Sequence, residues 1–257
     1  MLEALTELTR GNSTHRRETL LRFLESQSVH NQSFLDRDND RYINLSTRYT
    51  HGQPQERIAV SAHYDKVSLG QGALDNASGV IVLLSLLARL QKEKPKADVT
   101  FLFFDGEEDG CIGSRYFVGH NPLPFAAVYN LDVVGRGDSV VVARSSLDLH
   151  SKTFVDVPPF LIERVQNVCT LDDFPCYEIA QTPMSDHVPF NQSRIPAVWL
   201  CTLPQREATL WSQGQNFLSI PTFTYINGPK DTIDKIEPSA LQLAHHITYH
   251  LLQRHFS

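Results

Sequence analysis

The chain has 257 residues, 41% of them hydrophobic and 20% charged, with a formal net charge of −6 at pH 7. That length accommodates one large α/β domain or two small ones, and the apolar share is enough for a buried core. The acidic balance leaves no basic stripe to displace phosphate counterions, which excludes nucleic acid as the main partner.

The N-terminal stretch "MLEALTELTRGNSTHRRETL" is polar and lacks the apolar centre of a secretion leader. A cytoplasmic location is therefore expected for the sequence as given, and a secreted or periplasmic one if a leader precedes it. No apolar run reaches the ~18 residues of a membrane span, so no membrane partner is expected. Further along, "RIAVSAHYD" (57–65) reads as a strand from its β-branched and apolar content. "NASGVIVLLSLLARLQKEK" (76–94) reads as a helix, with an apolar stripe, a basic last turn and Pro95 just beyond. "ADVTFLFFDG" (97–106), "AAVYNLDVVG" (126–135) and "SVVVAR" (139–144) read as strands. "PPFLIERVQNV" (158–168) opens with prolines as helix starts do. The strand "IPAVWLCTL" (195–203) and the helix "EPSALQLAHHITYHLLQRHF" (237–256) close the series. Strand–helix alternation implies a mostly parallel sheet with helices on both faces. With no repeat and no shift in composition, a single domain spanning 1–257 is expected.

The four cysteines include no CxxC pair, which excludes a zinc ribbon. Cys169 and Cys176, seven apart, either bridge a loop in an oxidising compartment or remain thiols.

In doubly wound sheets the chemistry gathers at the carboxyl ends of strands. Here those ends carry His63 and Asp65, Glu107 and Glu108, and Asp132, while the loop "GQGALDNASG" delivers Asp75 just before a helix. Five acids and a histidine cannot share a dry cleft unless cations neutralise them. Imidazole with carboxylates and no thiolate suits zinc or a similar divalent ion in a catalytic role. Asp75 can bridge two metals roughly 3.5–4 Å apart, with His63 and Asp132 completing one site and Glu108 serving the other. Asp65 lies on the same strand face as His63 and can receive its N–H. Adjacent side chains point apart, so Glu108 can bind metal while Glu107 faces the metal-bound water as general base. Each residue also has a plainer reading: His63 as a satisfied core histidine, Asp75 as a helix N-cap, the two glutamates as partners of a helix dipole.

"SAHYDKV", "GALDNASGV", "FFDGEEDGCIGSRYF", "YNLDVVG", "SDHVPF" and "KDTIDKI" resemble, in order, the co-catalytic zinc aminopeptidases, a peptidase family that also contains glutamate carboxypeptidases and glutaminyl cyclases. The resemblance spans roughly residues 57–240. It implies a three-layer α/β sandwich with a mixed, mainly parallel sheet. It implies one zinc on His63, Asp75 and Asp132, a second on Asp75 and Glu108, Glu107 as base, and a cis peptide at Asp75–Asn76. One position departs from the pattern: the last histidine ligand is Asn227 in "TYINGPKDT", a few residues before Asp231. Three outcomes follow. Asn227 or water completes a looser second site, His187 of "SDHVPF" substitutes for it, or a single ion binds. The resemblance otherwise places His187 beside the cleft and Asp186 in a hydrogen-bond network near the metal.

The expected function is a zinc-dependent aminopeptidase that takes peptides with a free N-terminus. The alternatives are glutaminyl cyclisation on a single zinc, and a non-catalytic peptide-binding protein on the same scaffold. The cyclases also use a histidine where Asn227 stands, and the tryptophan that commonly precedes it is Ile226 here. His246 and His250, one helical turn apart, have a zinc-compatible spacing, but no acid lies near them along that helix, so the pair is set aside. "GQG" at 70–72 lacks the third glycine of a dinucleotide fingerprint, and no GxSxG or HExxH occurs.

Overall fold

A computed structural model describes residues 2–27, 36–38, 41–120 and 124–256. Two helices, α1 (Leu2–Thr9) and α2 (Ser13–Ser26), lead into strands β1 (Asp36–Asp38), β2 (Tyr42–His51) and β3 (Arg57–His63). Then follow α3 (Ser78–Glu93), β4 (Ala97–Phe104), α4 (Ile112–His120), β5 (Ala127–Leu131), β6 (Ser139–Asp148) and β7 (Thr153–Asp156). The chain continues through α5 (Pro159–Leu171), β8 (Cys176–Thr182), α6 (His187–Gln192), β9 (Ala197–Leu203), α7 (Gln205–Ser212) and α8 (Pro238–Gln253).

The strands form a nine-stranded mixed sheet in the order β1-β2-β4-β3-β5-β9-β6-β7, with β8 also paired to β6. Its centre, β4-β3-β5-β9, is parallel, while β2 and β6 flank that centre antiparallel. Parallel strands covered on both faces carry apolar residues on both, and every residue of β4 is buried. Alternate residues serve opposite layers. Ile58, Val60, Phe101, Phe103 and Tyr129 join the core under α3, α5 and α8. Ala59, Leu102, Phe104 and Val128 pack on Phe117 of α4 and Phe190 of α6. The α/β architecture with helices on both faces is the one expected from sequence.

Some boundaries differ. The strand expected over 126–135 stops at Leu131, because Val133 adopts a left-handed backbone (φ +57°) that no strand sustains. The segment Ala73–Glu93 is long and apolar enough to cross a membrane by length and composition, contrary to the sequence-based expectation, yet 78% of its apolar window is buried inside the protein. All four cysteines are free thiols, so Cys169 and Cys176 are not bridged.

Candidate metal centre

Three neighbouring parallel strands deliver the acids to one edge. β3 ends on His63, β5 stops one residue short of Asp132, and β4 runs out through Asp105 and Gly106 to Glu107. Gly106 has φ +73°, and a Cβ there would lie 2.6 Å from the Tyr42 ring, so the turn requires glycine. Ahead of α3, Ala73–Ala77 forms one π turn in which Asp75 and Asn76 leave helical geometry. The Asp75–Asn76 peptide is cis. Asn76, not Asp75, bonds to the first turn of α3: its Oδ1 accepts from the Gly79 N–H at 3.0 Å and its Nδ2 donates to the Leu131 carbonyl at 2.8 Å. The Asp75 carboxylate is left for the cleft.

The His63 ring lies among the acids. Its Nε2 is 3.1 Å from Asp75 Oδ1 and 3.5 Å from Asp132 Oδ1, and its Nδ1 is 3.3 Å from Asp65 Oδ1. Both ring nitrogens and Asp132 Oδ1 are buried, yet none makes a hydrogen bond of acceptable geometry. Such orphans are uncommon in folded proteins. Donors on a tetrahedral zinc, each roughly 2.0–2.1 Å away, stand roughly 3.3 Å from one another. The two separations from His63 Nε2, the donor types and the missing hydrogen bonds on His63 and Asp132 fit a divalent ion held by His63 with neighbouring carboxylates. His63, Asp75 and Glu108 also bring one ligand atom each within 4.8 Å of the others.

Buried hydrogen bonds hold these groups in place. Asp132 Oδ2 accepts from Ser185 Oγ at 2.8 Å, and Asn130 Nδ2 donates to Ser185 Oγ at 2.8 Å. Ser61 in turn donates to Asn130 Oδ1 at 2.8 Å, so Asp132 Oδ1 stays turned toward His63. Asp65 accepts the Glu107 N–H on one oxygen (3.2 Å) and the Glu108 N–H on the other (3.1 Å). It therefore ties the Glu107–Glu108 turn to the strand that carries His63.

With no ion among them, these acids repel. Burial and the surrounding aspartates push Glu107 well above the usual carboxylate range, with His63 opposing. Burial, then Asp75, push Glu108 up to about 9. Burial works against a charged His63, but Glu107 and the three aspartates outweigh it and raise its pKa. A divalent cation would reverse this logic by favouring every carboxylate.

Asn227 meets Glu108 at this edge. Oriented with its nitrogen toward the glutamate, its amide donates to both carboxylate oxygens at 2.9 and 3.0 Å. His187 keeps one ring nitrogen, Nδ1, buried without a hydrogen-bond partner. It is fully buried, its Nε2 is 2.6 Å from Ser146 Oγ, and burial lowers its pKa to about 3. Asp186 is buried and accepts from Ser114 Oγ at 2.6 Å, while burial raises it to about 7.

Three contributors lay outside the sequence reading. The Arg16 guanidinium, 1% exposed, donates to the carbonyls of Leu8, Tyr64, Asp65, Gln71 and Gly72. It thereby clamps the loops that carry Asp65 and Asp75. Asp231 accepts the Leu74 N–H (2.7 Å) and the Asp75 N–H (3.2 Å), which fixes the same turn from the other side. Cys111 donates weakly to Glu107 Oε1 at 3.7 Å. Lone polar residues remote in sequence carry no spacing signal that marks such roles.

A cavity of about 320 Å³ opens on Asp75, Glu107, Asp132 and Asn227 and is walled by Trp199, Phe217, Phe223 and Ile226. Arg136 does not line it and is engaged by Glu207 Oε1 at 2.5 Å.

Among curated proteins, Aminopeptidase YwaD of Bacillus subtilis is 27% identical over 191 residues, covering 73% of this chain and 38% of that protein. This chain thus spans well under half the length of that relative. The aminopeptidase LapA of Legionella pneumophila has a similar fold, with TM-score 0.77 and 17% identity over 100% of this chain and 68% of that one. Glutaminyl cyclase from Porphyromonas gingivalis is likewise similar, with TM-score 0.72 and 20% identity over 98% of this chain and 96% of that one. A family profile described as Peptidase family M28 matches residues 44–252. With the profile covering most of the sheet and every strand end that carries an acid, the chain belongs to peptidase family M28.

Proposed function

We propose that the protein is a zinc-dependent aminopeptidase. The observation that carries this reading is His63, whose Nε2 lies 3.1 Å from Asp75 and 3.5 Å from Asp132 with no hydrogen bond of its own, beside further acids in an accessible cavity. His63, Asp75 and Asp132 would hold one zinc tightly. Asp75 and Glu108 would hold a second more weakly, because an amide oxygen from Asn227 is a poorer zinc ligand than imidazole. When bound, zinc supplies Lewis acidity at a scissile carbonyl and acidifies water.

The remaining steps belong to the side chains. Glu107, in the cavity wall next to Glu108, removes a proton from the attacking water and returns it to the leaving amine. Asp65 lies 3.3 Å from His63 Nδ1, within reach of its N–H, and keeps the Glu107–Glu108 turn in register. The cluster of carboxylates attracts a free α-ammonium, which selects for a peptide N-terminus. Trp199, Phe217 and Phe223 give the neighbouring cavity an apolar wall for a side chain.

The test is Glu107→Gln assayed on aminoacyl amides with zinc content measured in parallel. Retained zinc with turnover reduced by at least about 10²-fold is expected for loss of a general base. Turnover within a few-fold of wild type would refute the assignment. Pyroglutamate formation from glutaminyl peptides, without release of free amino acids, would replace hydrolysis by the cyclase reading.

A further inference from the structure

The geometry points to a second divalent-cation site, remote from the cleft, formed by Asp172, His246 and His250. His246 and His250 sit one turn apart on α8, and the acid absent from their own helix comes from the end of α5. Asp172 Oδ2 is 3.1 Å from His246 Nε2 and 2.6 Å from His250 Nδ1. One ligand atom from each residue lies within 4.8 Å of the others, and the two rings stand 4.1 Å apart. Donors on a common zinc lie roughly 3.3 Å apart, so small rotations of these side chains suffice.

Two further features favour an ion over a pair of hydrogen bonds. Asp172 closes α5 at its C-terminal end, where the helix dipole disfavours negative charge. A divalent ion on the carboxylate would neutralise that charge. In addition, a cavity of about 300 Å³ opens beside Asp172 and His250, with room for water to complete a coordination shell. Arg254 lies on the same wall and opposes cations held by charge alone. Two imidazoles and one carboxylate suit zinc, nickel or cobalt better than magnesium or calcium. Because the ligands come from α5 and α8, the bound ion is a staple between these helices.

Zinc per chain, measured by mass spectrometry after dialysis against buffered micromolar zinc, tests the site in wild type and in His246→Gln/His250→Gln. The double variant is expected to bind one ion fewer and to lose part of the zinc-dependent rise in thermal midpoint, with peptide hydrolysis unchanged. Equal stoichiometry in the two proteins would overturn the proposal. Should the variant fail to fold, anomalous diffraction at the zinc edge from wild-type crystals decides. A peak between Asp172, His246 and His250 supports the site, and its absence with zinc present at the catalytic edge refutes it. A peak accompanied by unchanged solution stoichiometry would mean binding at crystal concentration only, and also refutes it.

Discussion

Replacing Arg16 by methionine removes a group that joins α2 to both metal-bearing loops while nearly preserving side-chain volume. The guanidinium donates to five carbonyls, with the Leu8, Gln71 and Gly72 contacts at 2.8, 2.5 and 2.6 Å and those of Tyr64 and Asp65 at 3.2 and 3.4 Å. At about 1 kcal/mol net per hydrogen bond the loss approaches ~5 kcal/mol. Relief from burying the cation returns part of this, since burial already lowers the Arg16 pKa to about 10 against the pull of Asp231 and Asp75. A net cost of about 3–4 kcal/mol remains, in line with removing one member of a buried charged network. For a chain of this size that corresponds to a fall in thermal midpoint of roughly 6–16 °C. Differential scanning fluorimetry of the zinc-loaded protein measures it, with kcat/KM taken well below the transition. Because the Asp65 and Asp75 loops lose their tie, kcat/KM should fall about tenfold even in folded protein. Leu20→Ala, a cavity in the same helix, should lower the midpoint by a comparable amount and leave kcat/KM alone. A shift below ~2 °C for Arg16→Met, or equal kinetic loss in both variants, would refute the clamp.

Removal of metal should make stability depend on pH in an unusual direction. Glu108, raised to about 9, and Asp186, raised to about 7, hold protons in the folded state that the unfolded chain has released, and His63, also raised, acts in the same sense. Stability of the chelator-treated protein is therefore expected to fall from about pH 6.5 to 9, the range above the unfolded histidine pKa. His187, lowered to about 3, opposes this trend only below that range. Thermal midpoints flat across those values without zinc, or equally steep with it, would contradict this account. Asn227→His is expected to convert a weak second catalytic site into one that survives dialysis, raising retained zinc by one ion per chain. The Asn227 backbone is left-handed (φ +55°), a region that histidine tolerates better than most residues. Unchanged zinc content would show that this position does not reach the second ion.

The parallel core and the acids at its edge were legible because both are local patterns. Runs such as "VTFLFF" are apolar on both faces, and the acid following each run is adjacent in sequence to the strand that delivers it. β2 and β8 escaped for the opposite reason. β2 mixes buried polar residues such as Asn44 and Thr47 with apolar ones, and β8 buries only Ile179 and Thr182. Neither shows a clean period of two. The sequence by itself therefore determined the layer order, the parallel centre and the set of carboxylates gathered at one edge. Only the tertiary structure decided which atoms face one another: that Asn76, not Asp75, bonds to the first turn of α3, that Ser146 engages His187, that Arg16 clamps both loops, and that Asp172 meets the histidines of α8. Those pairings join residues 41 to 78 positions apart or turn on a single side-chain rotamer. Their energies arise on burial, where an unpartnered polar group is costly, and no spacing along the chain encodes them.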